Sequence, residues 1–515
     1  SMPSKRHLLR RSMLVGFFSF AGSATGILVE ISIAAHLGLS RGSDTFYVAL
    51  TVPYIITNLI TATGQFTLVP FFSSFDTEER RGQLWHGFSY ALNLVASGLI
   101  LIAILGAAFA PWIIRGIAPG LMREQSLMST RLARWLFLMI VPAGAAEVFR
   151  SFLFSQHRFA LSSAAGFFRN VSIIAFIWFG FHRYADYSIV MGYCVGYCAQ
   201  LCILGGQVVW SFPARYRLTL RGAGKPFRQL HGAGASQILA AAGSQAMVIV
   251  ERVIASFLPP GTITALNYGL KIISTLSELL AGSVGTSVLP ALSRAVSRQA
   301  EAEERKIIQN AIEIALVLVS LVTACCLALP GPIMQLLFQR GSFSAEATAR
   351  MALIFFCYCL CLLPLSGLRL LNFYLFARHA MKGFLSLAAL YTALACGLYV
   401  LFVLVFHLGA KGIPLGLLAA LILTGVAAYG WDVAGIQTIF DRALAVLAGK
   451  DLIALVISGL VMWRIDLLVR APHGVPELVV FLCVVCGIGC MIFFAIALAL
   501  KAVSLSQMRQ VFERS

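Results

Sequence analysis

The sequence predicts an all-α integral membrane protein with about fourteen transmembrane helices. Three observations carry that expectation. Mean hydropathy is +0.87, with 59% apolar and only 12% charged residues, more apolar surface than a soluble core of 515 residues can hide. The apolar runs, as in 84–112, 306–330 and 447–463, are long, unbroken and non-alternating. In lipid every backbone N–H and C=O must be paired within the protein, so spans are helices or a closed barrel, and a barrel shows runs of about ten alternating residues. The third observation is that Lys and Arg gather in alternate loops.

A span needs roughly 20 apolar residues. On that rule the first six fall at 12–38, 46–74, 84–112, 130–155, 159–181 and 187–210. The next six fall at 230–257, 262–293, 306–329, 347–377, 382–406 and 412–437, and the last two at 447–466 and 476–501. The opening Ser1-Met2-Pro3 reads as a tag scar ahead of a native Met, and the apolar stretch from Met13 reads as a retained span.

One set of loops takes Lys5, Arg6, Arg10 and Arg11, then Arg80 and Arg81, then Arg215 to Arg228, Arg294 to Lys306, Arg378, Lys382, Arg442, Lys450 and the C-terminal basic residues. Roughly 23 positive residues lie on that side against roughly 10 on the other, which places both termini in the cytoplasm. A net charge of +18 spread in this way makes no single nucleic-acid footprint, so no nucleic-acid partner is expected.

The basic, Gly- and Pro-containing loop near 211–229 separates six spans from the rest. An echo supports a repeat. The second span ends Gln65-Phe66-Thr67-Leu68-Val69-Pro70 and the eighth ends Gly285-Thr286-Ser287-Val288-Leu289-Pro290, while Tyr47 and Tyr268 open the same two spans. Repeats of equal orientation are a transporter plan with the site at the repeat interface. The expected domains are an N-terminal lobe over 1–211, a C-terminal lobe over 212–438 and two added helices over 439–515.

Intramembrane charge marks function by default. Glu147 and Arg150 are three apart on one helix and read as a local pair. Glu313 and Asp432 lie near cytoplasmic ends and read as snorkelling or capping groups. Glu251, Arg252, Lys271 and Glu278 sit on two consecutive spans joined by Pro259-Pro260-Gly261, and read equally as cavity lining or as a structural ion-pair cluster. Glu30 is a lone acid among Ile, Val and Ala, a candidate for coupling. No catalytic motif is present, so no enzyme activity is expected, and the twelve cysteines lack the His or carboxylate neighbours of a metal site.

Several stretches resemble the MurJ/MviN family. They include Ser43-Asp44-Thr45-Phe46-Tyr47-Val48-Ala49, Ala110-Pro111-Trp112-Ile113-Ile114 with Ala118-Pro119-Gly120, and Arg158-Phe159 with Asn170. Ala255-Ser256-Phe257-Leu258, Leu289-Pro290-Ala291-Leu292-Ser293 and Leu337-Phe338-Gln339-Arg340-Gly341-Ser342-Phe343 continue the series in order. The resemblance implies a fourteen-helix member of the multidrug/oligosaccharidyl-lipid/polysaccharide exporter superfamily, with two six-helix lobes around a central cavity and a tail groove made by the last two helices. It implies a flippase carrying lipid II, a polyprenyl-pyrophosphate-linked saccharide, from the cytoplasmic to the outer leaflet of the bacterial inner membrane by alternating access.

By the same resemblance Lys271 falls where the family has an essential arginine on the eighth helix, Asp44 on a conserved acid, and Arg369 on or near a basic residue of the tenth helix. Val29, Thr57 and Asn58 stand where the family has arginines. Lys271, Arg252, Arg369, Asp44, Thr57 and Asn58 are therefore the expected substrate-binding residues, and Glu30, Glu251 and Glu278 the candidates for proton or sodium coupling. No cofactor is expected beyond such an ion and the membrane potential. The expected partners are a polyprenyl-pyrophosphate-linked glycan and membrane lipids, with the protein a monomer. The three neutral positions leave open an exopolysaccharide or O-antigen unit as cargo, and the acids leave open an ion-coupled multidrug exporter.

Overall fold

The computed structural model describes residues 5–75, 83–212, 216–222, 227, 230, 243, 245–472 and 474–500. Among them no strand occurs, and eleven helices are long and apolar enough to cross a membrane, twelve if one bent pair is a single span. The helices are α1 (Lys5–Leu37), α2 (Arg41–Thr63), α3 (Leu84–Ile117), α4 (Arg123–Ser155), α5 (Phe159–Tyr184), α6 (Asp186–Ser211) and α7 (245–255). They continue with α8 (Thr262–Ser297), α9 (Glu301–Ala328), α10 (Pro330–Phe338), α11 (Ala345–Cys359), α12 (Leu362–Ala377), α13 (Met381–Val400), α14 (Gly412–Gly430), α15 (Arg442–Val469) and α16 (Val475–Ala499). The apolar part of α1 is the shorter Ala21–Leu37, and the expected span 230–257 lies partly outside the described residues.

Three features depart from the expected spans. The tenth span is broken into α11 and α12, which meet at 44°. The short α10 was not anticipated. Pro330 stands at its first position, where a missing N–H costs nothing, and its Phe338 stacks on Tyr268 at 4.9 Å. A wide π turn follows α2 directly at Gly64–Leu68 and another lies within α8 at Glu278–Gly282, a device frequent at functional sites. The two turns are 214 positions apart, six or seven short of the offset that relates Tyr47 to Tyr268 and Pro70 to Pro290. Tyr47 and Tyr268 are both buried.

The chain divides into two compact units, Ser1–Thr264 and Ala265–Ser515. In the first, α5 packs on α1 and α6, and α4 packs on α2, α3 and α6. Its aromatic core joins Phe71, Phe72 and Phe75 to Phe88, Phe152 and Phe227. Helix α2 begins with a capping box in which Ser40 Oγ accepts the Ser43 N–H and Ser43 Oγ accepts the Ser40 N–H. Gly64 is required by contact: a methyl there would stand 2.6 Å from the Glu147 side chain. The expected Glu147–Arg150 pair forms at 3.5 Å.

In the second unit α15 packs between α9 and α16, and α13 packs on α14. One end of the α9–α15 contact is fixed by Arg305, 2.7 Å from Asp441, and by Gln309, which donates to the Ile439 carbonyl at 2.8 Å. Asp441 also caps α15 by accepting the Leu444 N–H. Arg378 pairs with Glu304 at 2.6 Å. Asp432, read as a capping group, takes a left-handed conformation (φ 47°) and accepts the Gln437 N–H at 3.0 Å. An apolar hollow of about 520 Å³ opens among α9, α12, α14 and α15, with Ile312, Leu316, Leu371, Leu421 and Ala448 in its wall.

Candidate substrate-binding site

The turn 259–264, which sequence reading treated only as a tight connection, is held by a dense set of hydrogen bonds. Gly261 adopts φ +85°, a left-handed backbone that favours glycine. Asp44, in the first turn of α2 and 4% exposed, grips that turn. Its Oδ2 accepts the Gly261 N–H at 2.6 Å, and its Oδ1 accepts the Thr264 N–H at 2.9 Å and the Thr264 hydroxyl at 2.7 Å. A carboxylate on unpaired N–H groups at a helix start satisfies both hydrogen bonding and the helix dipole. Here the capping acid comes from another helix, about 220 residues earlier in the chain, which local spacing cannot reveal.

Arg252 is 5% exposed and serves the same turn. Its guanidinium donates to the Ile263 carbonyl at 3.1 Å and lies 3.8 Å from the Glu251 carboxylate, itself buried. Ser256 Oγ accepts the Gly120 N–H at 3.0 Å. The geometry thus gives Asp44, Glu251 and Arg252 structural occupations within their own unit. Of the two readings left open for the four charges at 251–278, the ion-pair reading describes Glu251 and Arg252.

Glu30 is half-buried, and its Oε2 accepts the Tyr47 hydroxyl at 2.5 Å, so it lies in a polar contact between α1 and α2. Val29 beside it is buried. Thr57 is buried and donates back to the Pro53 carbonyl at 2.7 Å, as expected near a proline that removes a helix hydrogen bond. Asn58 is exposed.

In the second unit Lys271 is half-buried, nine positions into α8 and seven before the π turn. Its carbonyl accepts the Thr275 hydroxyl at 2.9 Å. Glu278 opens the π turn and forms an ion pair with Arg369 of α12. Both partners keep substantial exposure, 55% and 29%, so this pair is reachable in a way that Arg252 is not. The π turn is what sequence reasoning missed here. Its one weak signal is the small-residue run Ala281-Gly282-Ser283 after Glu278.

Polytopic all-helical architecture with charged side chains inside its spans defines a transporter-type membrane protein rather than a soluble binding module. The sequence profile described as "Lipid II flippase MurJ" matches residues 33–508. This chain belongs to that family.

Relatives agree. It is 24% identical over 368 residues to the "Probable lipid II flippase MurJ" of Buchnera aphidicola subsp. Acyrthosiphon pisum, covering 68% of this chain and 70% of the relative. It is 25% identical over 409 residues to the Thermotoga maritima protein of the same description, covering 79% and 82%. It is 25% identical over 368 residues to the "Lipid II flippase MurJ" of Burkholderia cenocepacia, covering 67% and 69%. Among solved structures, a lipid II flippase MurJ in an inward closed conformation superposes with a TM-score of 0.78 at 18% identity, over 94% of this chain and 98% of that one. An inward-facing MATE family multidrug transporter of the MOP superfamily superposes at 0.66 with 14% identity, over 82% and 95%. These likenesses establish the fold.

Proposed function

We propose that this chain flips lipid II from the cytoplasmic to the outer leaflet of a bacterial inner membrane by alternating access, as a monomer with both termini in the cytoplasm. The observation that carries the reading is the family match over residues 33–508, nearly the whole chain. The chain acts as a transporter and not as an enzyme.

The physical problem is a charged headgroup. A pyrophosphate cannot cross about 30 Å of hydrocarbon unaided, because isolated charge there is prohibitively costly. Lys271 is the cation proposed to replace its hydration, and the Arg369–Glu278 pair is the group that exchanges partners, Arg369 turning from the carboxylate to the phosphate. Thr57 and Asn58 supply uncharged polar contacts. Asp44 and Arg252 hold the turn that starts α8 and so set where Lys271 stands. The polyprenyl chain stays in lipid throughout.

An inside-negative potential favours outward movement of negative charge by about 2.3 kcal/mol per charge per 100 mV, which drives the cycle without ATP. Glu30, Glu251 and Glu278 are the acids proposed for any coupling to protons or sodium.

Uncharged Val29, Thr57 and Asn58 favour a second reading, another polyprenyl-linked saccharide with a less anionic head. Complementation separates the two. The chain should restore growth to a strain depleted of its own lipid II flippase. Failure to do so at normal membrane levels, with an exopolysaccharide or O-antigen defect rescued instead, selects the second reading.

A further inference from the structure

Helices α9 and α15 run side by side in the same direction, and two contacts fix their register. At one end Arg305 pairs with Asp441, 136 positions later. At the other, Gly459 faces Ala324, 135 positions earlier, with the Ala324 carbonyl 3.7 Å from where a Cβ on Gly459 would stand. Glu313 and Asp451 are 138 positions apart, so this register puts them about 4 Å from level at 1.5 Å of rise per residue. Asp451 belongs to the buried stripe of α15 with Leu444, Ala454, Leu455, Ser458 and Met462. It is 0% exposed, and among the described residues neither of its carboxylate oxygens has a hydrogen-bond partner. Glu313 is half-buried and acts electrostatically on Asp451.

Among the described residues no cation is hydrogen-bonded to Asp451. On α9, Arg305 is committed to Asp441, Glu304 to Arg378, and Lys306 is exposed. On α12, Arg369 and Arg378 are held by Glu278 and Glu304. Helix α16 has Glu477 in its first turn and only cysteines as further titratable groups through Ala499. On α15 itself Lys450 is half-buried and Arg442 is exposed.

A bare carboxylate at span depth beside a second acid is among the costliest arrangements in a membrane protein. Intramembrane acids of this kind mark proton or ion pathways. A metal ion would need a shell of several oxygen ligands. One turn either side of Asp451 on its own helix stand Leu447, Ala448, Ala454 and Leu455, all apolar, and the Ser458 hydroxyl donates to the Leu455 carbonyl. A proton needs one oxygen.

We propose that Asp451 and Glu313 form a buried proton-binding site between α9 and α15, loaded from water at the Arg305–Asp441 end. Loading forms one O–H bond on Asp451 and breaks one in hydronium. The protonated pair carries one negative charge at most and lets the helices stay packed. The doubly ionised pair repels, which loosens the α9–α15 contact beside the apolar hollow that begins one turn away at Ala448 and Ile312. Proton occupancy is thereby tied to the spacing of two helices outside the proposed headgroup contacts.

Infrared spectroscopy of the full chain in nanodiscs tests this without any cargo, so a failure of the flippase reading leaves the result intact. The expected result at pH 7 is a protonated-acid carbonyl band that shifts with [13C]aspartate, is lost in Asp451→Asn, and titrates differently in Glu313→Gln. A labelled wild-type protein with no such band at pH 7 overturns the proposal, as does a band unchanged in Asp451→Asn. If Asp451→Asn does not fold, the labelled wild-type band and its displacement in Glu313→Gln decide. A rise in Tm with sodium over potassium that Asp451→Asn abolishes also overturns it, in favour of a metal ion.

Discussion

Asp44 and Thr264 are joined twice, through the Thr264 N–H at 2.9 Å and the Thr264 hydroxyl at 2.7 Å, both on one carboxylate oxygen. The second oxygen takes the Gly261 N–H. An acid in the first turn of one span therefore caps the start of another. It is buried, so removing it strands backbone donors that water cannot reach. Asp44→Ala should cost about 3 kcal/mol and Thr264→Val about 1 kcal/mol, since bonds to a charged group are worth more than neutral ones and Thr264 keeps its N–H. Thermal unfolding in detergent measures both. Equal melting of Asp44→Ala and wild type would show that the turn holds without the carboxylate.

Arg369 and Glu278 pair across α12 and α8 with both side chains partly exposed. Exposed pairs are weak, so a double-mutant cycle of Arg369→Ala and Glu278→Ala should give a coupling of about 0.5–1 kcal/mol in stability. The proposed partner exchange adds a second expectation. Glu278→Gln should leave binding of a pyrophosphate lipid intact or tighter, and Arg369→Ala should weaken it. Equal losses in both variants would mean that the pair is structural only.

Arg305 and Asp441 lie outside the spans, where pH can act directly. The N–H of Leu444, with the Arg305 guanidinium, holds the Asp441 carboxyl below its ordinary value of 3.8. Because the folded value is depressed, its contribution to stability is complete above the ordinary value and is lost as pH falls through the folded one. Asp441→Asn should melt slightly lower at pH 7, with the gap to wild type closing below about pH 4. A gap that is constant from pH 7 to pH 3 would contradict the assignment.

Glu147 packs on the π turn at Gly64. A side chain there must displace it, together with its pair to Arg150. Gly64→Leu should therefore destabilise by about 1–3 kcal/mol, as other overpacked sites do, while Gly98→Ala, mid-helix with open space before it, should be neutral or stabilising by up to about 1 kcal/mol. Circular-dichroism melting compares them. Two indistinguishable curves would remove the argument for close contact.

Much of this was legible in the sequence, for physical reasons that apply residue by residue. Lipid as solvent imposes length and composition, so most spans follow from apolar runs: fourteen were expected, and eleven or twelve helices among the described residues are long and apolar enough to cross. Glu147 and Arg150 are three apart on a helix, a spacing that places them together, and they are paired. The echo of Tyr47 in Tyr268, and of the segment ending at Pro70 in the one ending at Pro290, suggests a repeat from sequence alone.

What remained hidden depends on contacts between distant parts of the chain. Glu251, Arg252, Lys271 and Glu278 read as one group because they are near in sequence. In the fold Arg252 turns to the Ile263 carbonyl and Glu278 to Arg369, partners that periodicity does not supply. The π turns and α10 were missed for a related reason: one extra residue in a helical turn leaves the apolar pattern almost unchanged. Asp441 and Asp451 show the same limit on α15. One caps and pairs in water and the other is buried bare, and only the register with α9 tells them apart.

The central claim is that Lys271 shelters the pyrophosphate of lipid II during its passage. The most direct measurement is lipid II flipping by purified protein in vesicles carrying an inside-negative potential, comparing wild type, Lys271→Arg and Lys271→Ala. The account predicts flipping by wild type, near-normal rates for Lys271→Arg, and a loss of about tenfold or more, some 1.4 kcal/mol, for Lys271→Ala. Wild-type rates in Lys271→Ala, or no lipid II flipping by the wild-type chain, would contradict it.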